Sequence, residues 1–468
     1  MNYNIPPGEI LGHPKGLFLL FTTEMWERFS YYGMRALLVL TLVAGTEAAN
    51  PGFGWSQGDA LKLYGWYTGL VYFTPLIGGW LADNFIGQRR SIIIGGVLMA
   101  LAQFVLAASI PGNTTLFFIG LVLLIIGNGF FKPNISTMVG DLYGEHDTRR
   151  DGAFTIFYMG INVGAFLAPL ICSTLGEDPA YGWKYGYIAA GVGMSLSVII
   201  QLALANRFLG DVGVKPSAKL SLEMSGGEKK PLTAEERDRL RVIFTLFIFV
   251  VLFWASFEQA GGLMNLYAND KTDRMIDFMN FEVPAGWFQS LNPFYIVILA
   301  PVFSMMWIKM GSKNPATPFK MVIGLMLTAI GFFFMVAAVY DQQANGLASM
   351  WWLALAYLFH TMGELCISPV GLSMTTKLAP LRLASLMMGV WFLINFFANL
   401  LAGYIGAFAE TMGEMAIFAG IAIANIIFAL ILWPISGKLV DWMHGAETYG
   451  EDVKHEVKEE LEATSDHA

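Results

Sequence analysis

The chain has 468 residues, 55% hydrophobic and only 14% charged, with a formal net charge of −8 and two cysteines. That balance belongs to a polytopic membrane protein, and it excludes a disulfide scaffold and the basic surplus of a nucleic-acid binder. Much of the negative charge follows Ala446, in a stretch over 443–468 that reads as a solvated acidic cytoplasmic tail.

In chain order, residues 1–14 are polar and are not expected to be a removable signal peptide. Apolar runs near the ~20 residues a helix needs to cross a bilayer follow. They fall at about 16–45, 60–82, 90–110, 115–139, 153–173, 184–206, 242–267, 287–308, 319–340, 351–372, 383–408 and 413–437, which makes twelve spans. The first span is anomalous, because it holds Glu24, Glu27, Arg28 and Arg35. An ionisable group at membrane depth costs roughly 2.5 kcal/mol or more unless it is paired or wet. At helical spacing these residues share one face with Tyr31 and Tyr32, so one helix offers acid, base and phenol to a common interior cavity.

Between spans two and three lies a short turn, Gly78 to Arg90, with Asp83 near one helix end and Arg89 and Arg90 at the next. Asp83 can pair across helices or with a helix N-terminus, so these three form a candidate conformational gate. Gly160-Ile161-Asn162-Val163-Gly164 has the small-residue spacing that lets helix backbones approach. Cys172 and Cys366 fall inside spans and read as packing residues. Asn113-Thr114-Thr115 fits a glycosylation acceptor pattern of low specificity. Among the six histidines His360 alone sits in a span, and none forms a metal-ligand cluster.

The polar stretch 207–241 is a linker, giving an N-terminal six-helix bundle over 1–206 and a C-terminal one over 242–442. Paired bundles can rock about a midplane site and expose it to one side at a time. With both termini cytoplasmic, twenty-one of the 28 Lys and Arg residues face the inner side and three the outer, the bias expected of that orientation.

Several segments carry a resemblance. Gly79 to Arg90 resembles the loop signature of the major facilitator superfamily, and Glu24-x-x-Glu27-Arg28-Phe29-x-Tyr31-Tyr32-Gly33 resembles the first-helix motif of its proton-dependent oligopeptide transporter family. Phe130-Phe131-Lys132-Pro133-Asn134, Phe154 to Ala165 and Gly363 to Ser373 agree with it, so the resemblance runs nearly end to end. It implies an all-α membrane protein of the major facilitator fold, in a bacterial inner or other plasma membrane, working as a monomer without a cofactor beyond the coupling proton. Many bacterial relatives carry two further helices between the halves; the 207–241 linker is too short and polar for them.

The implied activity is proton-coupled import of di- and tripeptides. Arg35 and Lys132 are expected to meet the peptide carboxylate, Glu364 its ammonium, and Asn162 and Asn292 to supply neutral donors and acceptors. Tyr32, Tyr72 and Tyr158 would hydrogen-bond the peptide, Trp254 and Trp391 would wall its side-chain pockets, and Ser368 lies in the matching tenth span. Proton coupling falls to Glu24, Glu27, Arg28 and Lys132, with Glu258 on span seven as the partner of Arg35 across the halves. Packing between helices is the competing role for the asparagines, tyrosines and above all the tryptophans. Two other readings stand beside this one: the same fold carrying nitrate or another small solute, and a membrane peptide sensor. An enzyme is not expected, since no nucleophile–base pair or phosphate loop occurs.

Overall fold

The computed structural model describes residues 3, 5–144, 147–216, 232–379 and 384–445. Apart from two-residue strands near the chain start and in loops, it is helical. The first half comprises α1 (Lys15–Val43), α2 (Gln57–Leu81), α3 (Gln88–Ser109), α4 (Thr114–Asp141), α5 (Arg150–Glu177) and α6 (Trp183–Phe208). The second comprises α7 (Ala234–Phe257) with its continuation α8 (Leu263–Lys271), then α9 (Leu291–Met310), α10 (Thr317–Asn345), α11 (Met350–Leu378), α12 (Ala384–Ala407) and α13 (Glu414–Trp442). Counting α7 and α8 as one broken span, the described residues give twelve spans in two six-helix bundles. Nine of these helices are apolar and long enough to cross a membrane by composition among the described residues. The other three are α1, α2 and α11, which carry the charged run, the tyrosines and Glu364.

Two boundaries differ from the sequence expectation. Helix α7 starts at Ala234, inside the predicted linker, because Thr233 and Glu236 form a reciprocal capping box. Span seven is also broken at a 3-10 turn, Glu258–Gly261. The Gly261-Gly262 pair permits the break: a Cβ on Gly261 would lie 2.5 Å from Arg35 Nε and overlap the Tyr64 hydroxyl. Of the predicted linker, 217–231 lies outside the described residues, as does the tail from 446.

The bundle has two ends. At the near end, where α1 begins, Arg149 bonds Glu9 Oε1 (2.8 Å), Gly12 O (2.9 Å) and Asp147 Oδ2 (2.8 Å), fastening the N-terminal hairpin to the α4–α5 loop. Hydrogen bonds from Arg149 hold the Asp147 carboxyl down at about 2. At the far end, where α1 finishes, the two halves are joined. One apolar cluster runs through the first half and into the far ends of the second-half helices, whereas the near ends of those helices, from Val242 to Met443, form a separate cluster.

The far-end junction includes two carboxylate caps of opposite sense. Glu177, ending α5, accepts from the backbone N–H groups of Ala285 (2.6 Å) and Gly286 (2.8 Å), which open the 3-10 turn before α9. Glu410, just after α12, accepts from Gly58 N–H (2.7 Å) in the first turn of α2. Each half thus ends its fifth span near an acid that caps the start of the other half's second span, a favourable placement for negative charge. Alongside, α2 and α12 approach so closely that a Cβ on Gly65 would stand 2.8 Å from the Gly403 backbone.

Candidate functional site

Between the halves lies a cavity of about 200 Å³, lined by residues of α1, α5, α7, α9 and α11. Eight of the eleven residues expected to bind solute stand there: Tyr32, Arg35, Tyr158, Asn162, Trp254, Asn292, Glu364 and Ser368. Its roof at the far end is an ion pair joining the halves. Arg35 Nη2 donates to Glu258 Oε2 at 2.7 Å, and Arg35 Nε to the Tyr64 hydroxyl at 2.8 Å. The Tyr64 hydroxyl in turn donates to Glu258 Oε2 at 3.3 Å. The break between α7 and α8 is what delivers Glu258 to this point. Arg35 also lies over the rings of Tyr32 (5.7 Å) and Tyr64 (5.8 Å), which the flat guanidinium suits.

Across the cavity, Asn292 Nδ2 donates to Glu364 Oε2 at 2.8 Å and to Thr361 Oγ1 at 3.1 Å, fixing the carboxylate's orientation. The Asn162 amide N–H donates to its own helix at Tyr158 O (2.9 Å). Two buried donors of the lining, Trp254 Nε1 and Gln289 Nε2, have no partner among the described residues. An unmet buried donor costs about 1–3 kcal/mol, which a carbonyl-bearing solute would return. Tyr158, on the α5 wall of the cavity, is 45% exposed.

A second charged group stands apart from the cavity lining, within the first half. Arg28 Nε lies 3.1 Å from Glu24 Oε1 and is hydrogen-bonded to Glu27, whose other oxygen accepts from Asn128 Nδ2 at 3.3 Å. Glu27 is fully buried, while Glu24 Oε2 and Arg28 Nη2 have no hydrogen-bond partner among the described residues. The glycine-spaced run on α5 sets this packing: a Cβ on Gly164 would stand 3.1 Å from Arg28 Cβ and overlap the Met25 carbonyl.

Several of the expected site residues stand elsewhere in this structure. Lys132, Tyr72 and Trp391 do not line the cavity. The Lys132 ammonium sits 3.8 Å from the centroid of the Tyr72 ring, and no described ion pair joins it to Glu24 or Glu27. Here α2 packs on α4, a Cβ on Gly79 standing 3.4 Å from Pro133, and Lys132 lies against the Tyr72 ring of α2. Trp391 packs on Phe247 at 6.0 Å, in the near-end cluster of the second half. Arg89, expected at the conformational gate, is buried in this structure and donates to Asn206 Oδ1 (3.0 Å), Gly210 O (2.8 Å) and Val212 O (2.9 Å), anchoring the chain after α6 within its own half. Arg90 is exposed, and Asp83 lies in a π-helical turn. Asn113 caps α4 by accepting from Leu116 N–H at 3.0 Å. His360 is buried against Phe332, with ring centroids 4.4 Å apart.

Sequence reasoning missed Tyr64, Gln289, Asn128 and Tyr357, the last a cavity-lining tyrosine bonded to Ala260 O at 3.1 Å. Their signal was faint: single polar atoms in apolar helices, without a charge to draw notice.

Comparison with known proteins adds a separate line. The profile described as "POT family" matches residues 89–218 and 214–421. The peptide transporter YePEPT of Yersinia enterocolitica is 37% identical, covering 92% of this chain and 95% of that protein. A di-/tripeptide transporter of Lactococcus lactis is 33% identical, over 94% of this chain and 99% of the relative. A crystal structure of a mutant peptide transporter POT in complex with alafosfalin superposes with a TM-score of 0.86 at 36% identity, covering 94% of this chain and 98% of the other.

Proposed function

The chain belongs to the POT family of proton-dependent oligopeptide transporters, within the major facilitator superfamily, and from that premise we propose that it imports di- and tripeptides together with protons by alternating access. The observation that carries the reading is the cavity itself. It has a cation, Arg35, at its roof, an acid, Glu364, on the second half, and the unmet donors of Trp254 and Gln289 between. A short peptide supplies a carboxylate, an ammonium and amide carbonyls, the complement of that set. Relatives named as a peptide transporter and a di-/tripeptide transporter support the substrate class.

The near end is cytoplasmic in this reading, as the positive-inside bias favours, so both termini face the cytoplasm. The joined far end then makes this the inward-facing state, closed to the outside by the Arg35–Glu258 pair and the two carboxylate caps. Peptide carboxylate competes with Glu258 for Arg35, and protonation of Glu258 releases the same bridge. Glu24, Glu27 and Arg28 form the proton site, because each acid can give up its share of Arg28 without any motion between halves. Lys132 joins this group on outward opening, leaving the Tyr72 ring for the carboxylates or the peptide.

The test is uptake of labelled dialanine into proteoliposomes with an imposed inward proton gradient. Accumulation above equilibrium, suppressed by unlabelled dipeptide but not by alanine or nitrate, is expected. Binding without accumulation would make the protein a sensor, and suppression by nitrate would change the substrate class.

A further inference from the structure

At the near end, the start of α7 and the end of α13 form a cleft of about 560 Å³, lined by Arg237, Leu240, Arg241, Phe244, Thr245 and Trp442. Its rim is cationic and its floor apolar. The Trp442 ring is flanked by Arg241, whose guanidinium carbon lies 5.8 Å away, and by Lys438, whose Nζ lies 4.8 Å away. The neighbouring acids of α7 are engaged. Asp238 meets Arg241 at 2.9 Å and His444 at 3.1 Å, Glu235 meets Arg239 at 2.7 Å, and Glu236 caps the helix through Thr233. Neither Lys438 nor the exposed Asp441 of α13 is among the lining residues, Lys438 reaching the edge of the cleft through its contact with the Trp442 ring. Arg237 and Lys438 have no anionic partner among the described residues. One and two turns below Leu240 toward the bundle middle, Phe244 and Ile248 are 50% and 59% exposed on the outer surface of α7.

Cations at the helix ends, an indole between them and an apolar track running into the membrane repeat, in order, the phosphate, glycerol and acyl parts of a phospholipid. We propose that this cleft binds an anionic phospholipid, with its phosphate held by Arg237, Arg241 and Lys438 and an acyl chain lying along Phe244 and Ile248. A zwitterionic lipid would bring its own ammonium toward the same cations and is the poorer ligand. The bound lipid joins α7 to α13 within the second half, so its binding is independent of what solute the central cavity takes.

The experiment is native mass spectrometry of the full chain in detergent. The probes are dioleoylphosphatidylglycerol, dioleoylphosphatidylcholine and glycerol 3-phosphate. The wild type is expected to retain phosphatidylglycerol over phosphatidylcholine, and Arg237→Gln with Lys438→Gln to weaken that retention by about tenfold or more. The far-end control Lys62→Gln with Lys271→Gln should leave it unchanged. Arg237→Gln alone serves as a second variant that breaks no intramolecular ion pair. Equal retention of the two lipids, undiminished retention in both cleft variants, or displacement by glycerol 3-phosphate would overturn the proposal, the last by showing a site for a free phosphate ester.

Discussion

Two charged groups lie on α1 about two turns apart, and they differ in what they join. Arg28 meets Glu24 and Glu27 on its own helix, and Glu27 in turn accepts from Asn128 on α4, all within the first half. Arg35 meets Glu258 in the second half and Tyr64 on α2. The first group can change its protonation state while the halves stay still, whereas the second cannot persist when they part. In the function proposed above, one helix therefore carries a local proton site and an interdomain latch, and the one-face spacing that places them in line is the coupling route.

The largest effect is expected where the latch is cut on one side. Glu258→Ala leaves a buried guanidinium with only a phenol for partner, and breaking a buried pair in this way costs about 3–5 kcal/mol. Thermal unfolding in detergent should show a large loss, most of which the double variant Arg35→Met with Glu258→Ala restores, while transport stays absent in both. If the double variant is no more stable than the single one, the pair is not the interdependent unit drawn here.

The Glu364 carboxylate, oriented by Asn292, should contribute what a hydrogen bond to a charged group does, about 1.5–3 kcal/mol. Glu364→Gln is thus expected to raise the apparent KM for dialanine by about tenfold to a hundredfold. It should affect N-acetyl-dialanine far less, and equal losses for both peptides would remove the ammonium from this residue. The smallest effects belong to the two far-end caps. Glu177→Gln or Glu410→Gln keeps one oxygen acceptor and should cost about 1 kcal/mol each. Distances between spin labels on the far ends of α2 and α12 should widen in a larger fraction of molecules, and the two effects should add because the caps are separate. No widening in the double variant would mean that apolar contact alone closes this end.

How much of this was legible follows from what each residue signals locally. Charge inside an apolar run is conspicuous, so the α1 face, Glu258 and Glu364 could be singled out without coordinates. The twelve spans were legible for the same reason, since a bilayer imposes length and hydropathy on each. The break in span seven was not, because Glu258–Gly262 sits inside a continuous apolar run and only the paired glycines hint at it. Glu177 and Glu410 look like ordinary loop acids, and their meaning lies in backbone N–H groups that only the packed halves bring near. Arg89 and Lys132 show the converse case: charge announced them, but their neighbours in this structure, carbonyls in one case and an aromatic ring in the other, carry no such local signal.

The division of labour along α1 is tested most directly by Glu27→Gln in proteoliposomes, assayed for gradient-driven dialanine uptake and for dialanine counterflow at equal pH. Uptake driven by the proton gradient should be lost while counterflow persists, because the Arg35–Glu258 latch and the cavity are untouched. Loss of both, or retention of both, would contradict the assignment of the proton to the Glu24–Glu27–Arg28 group.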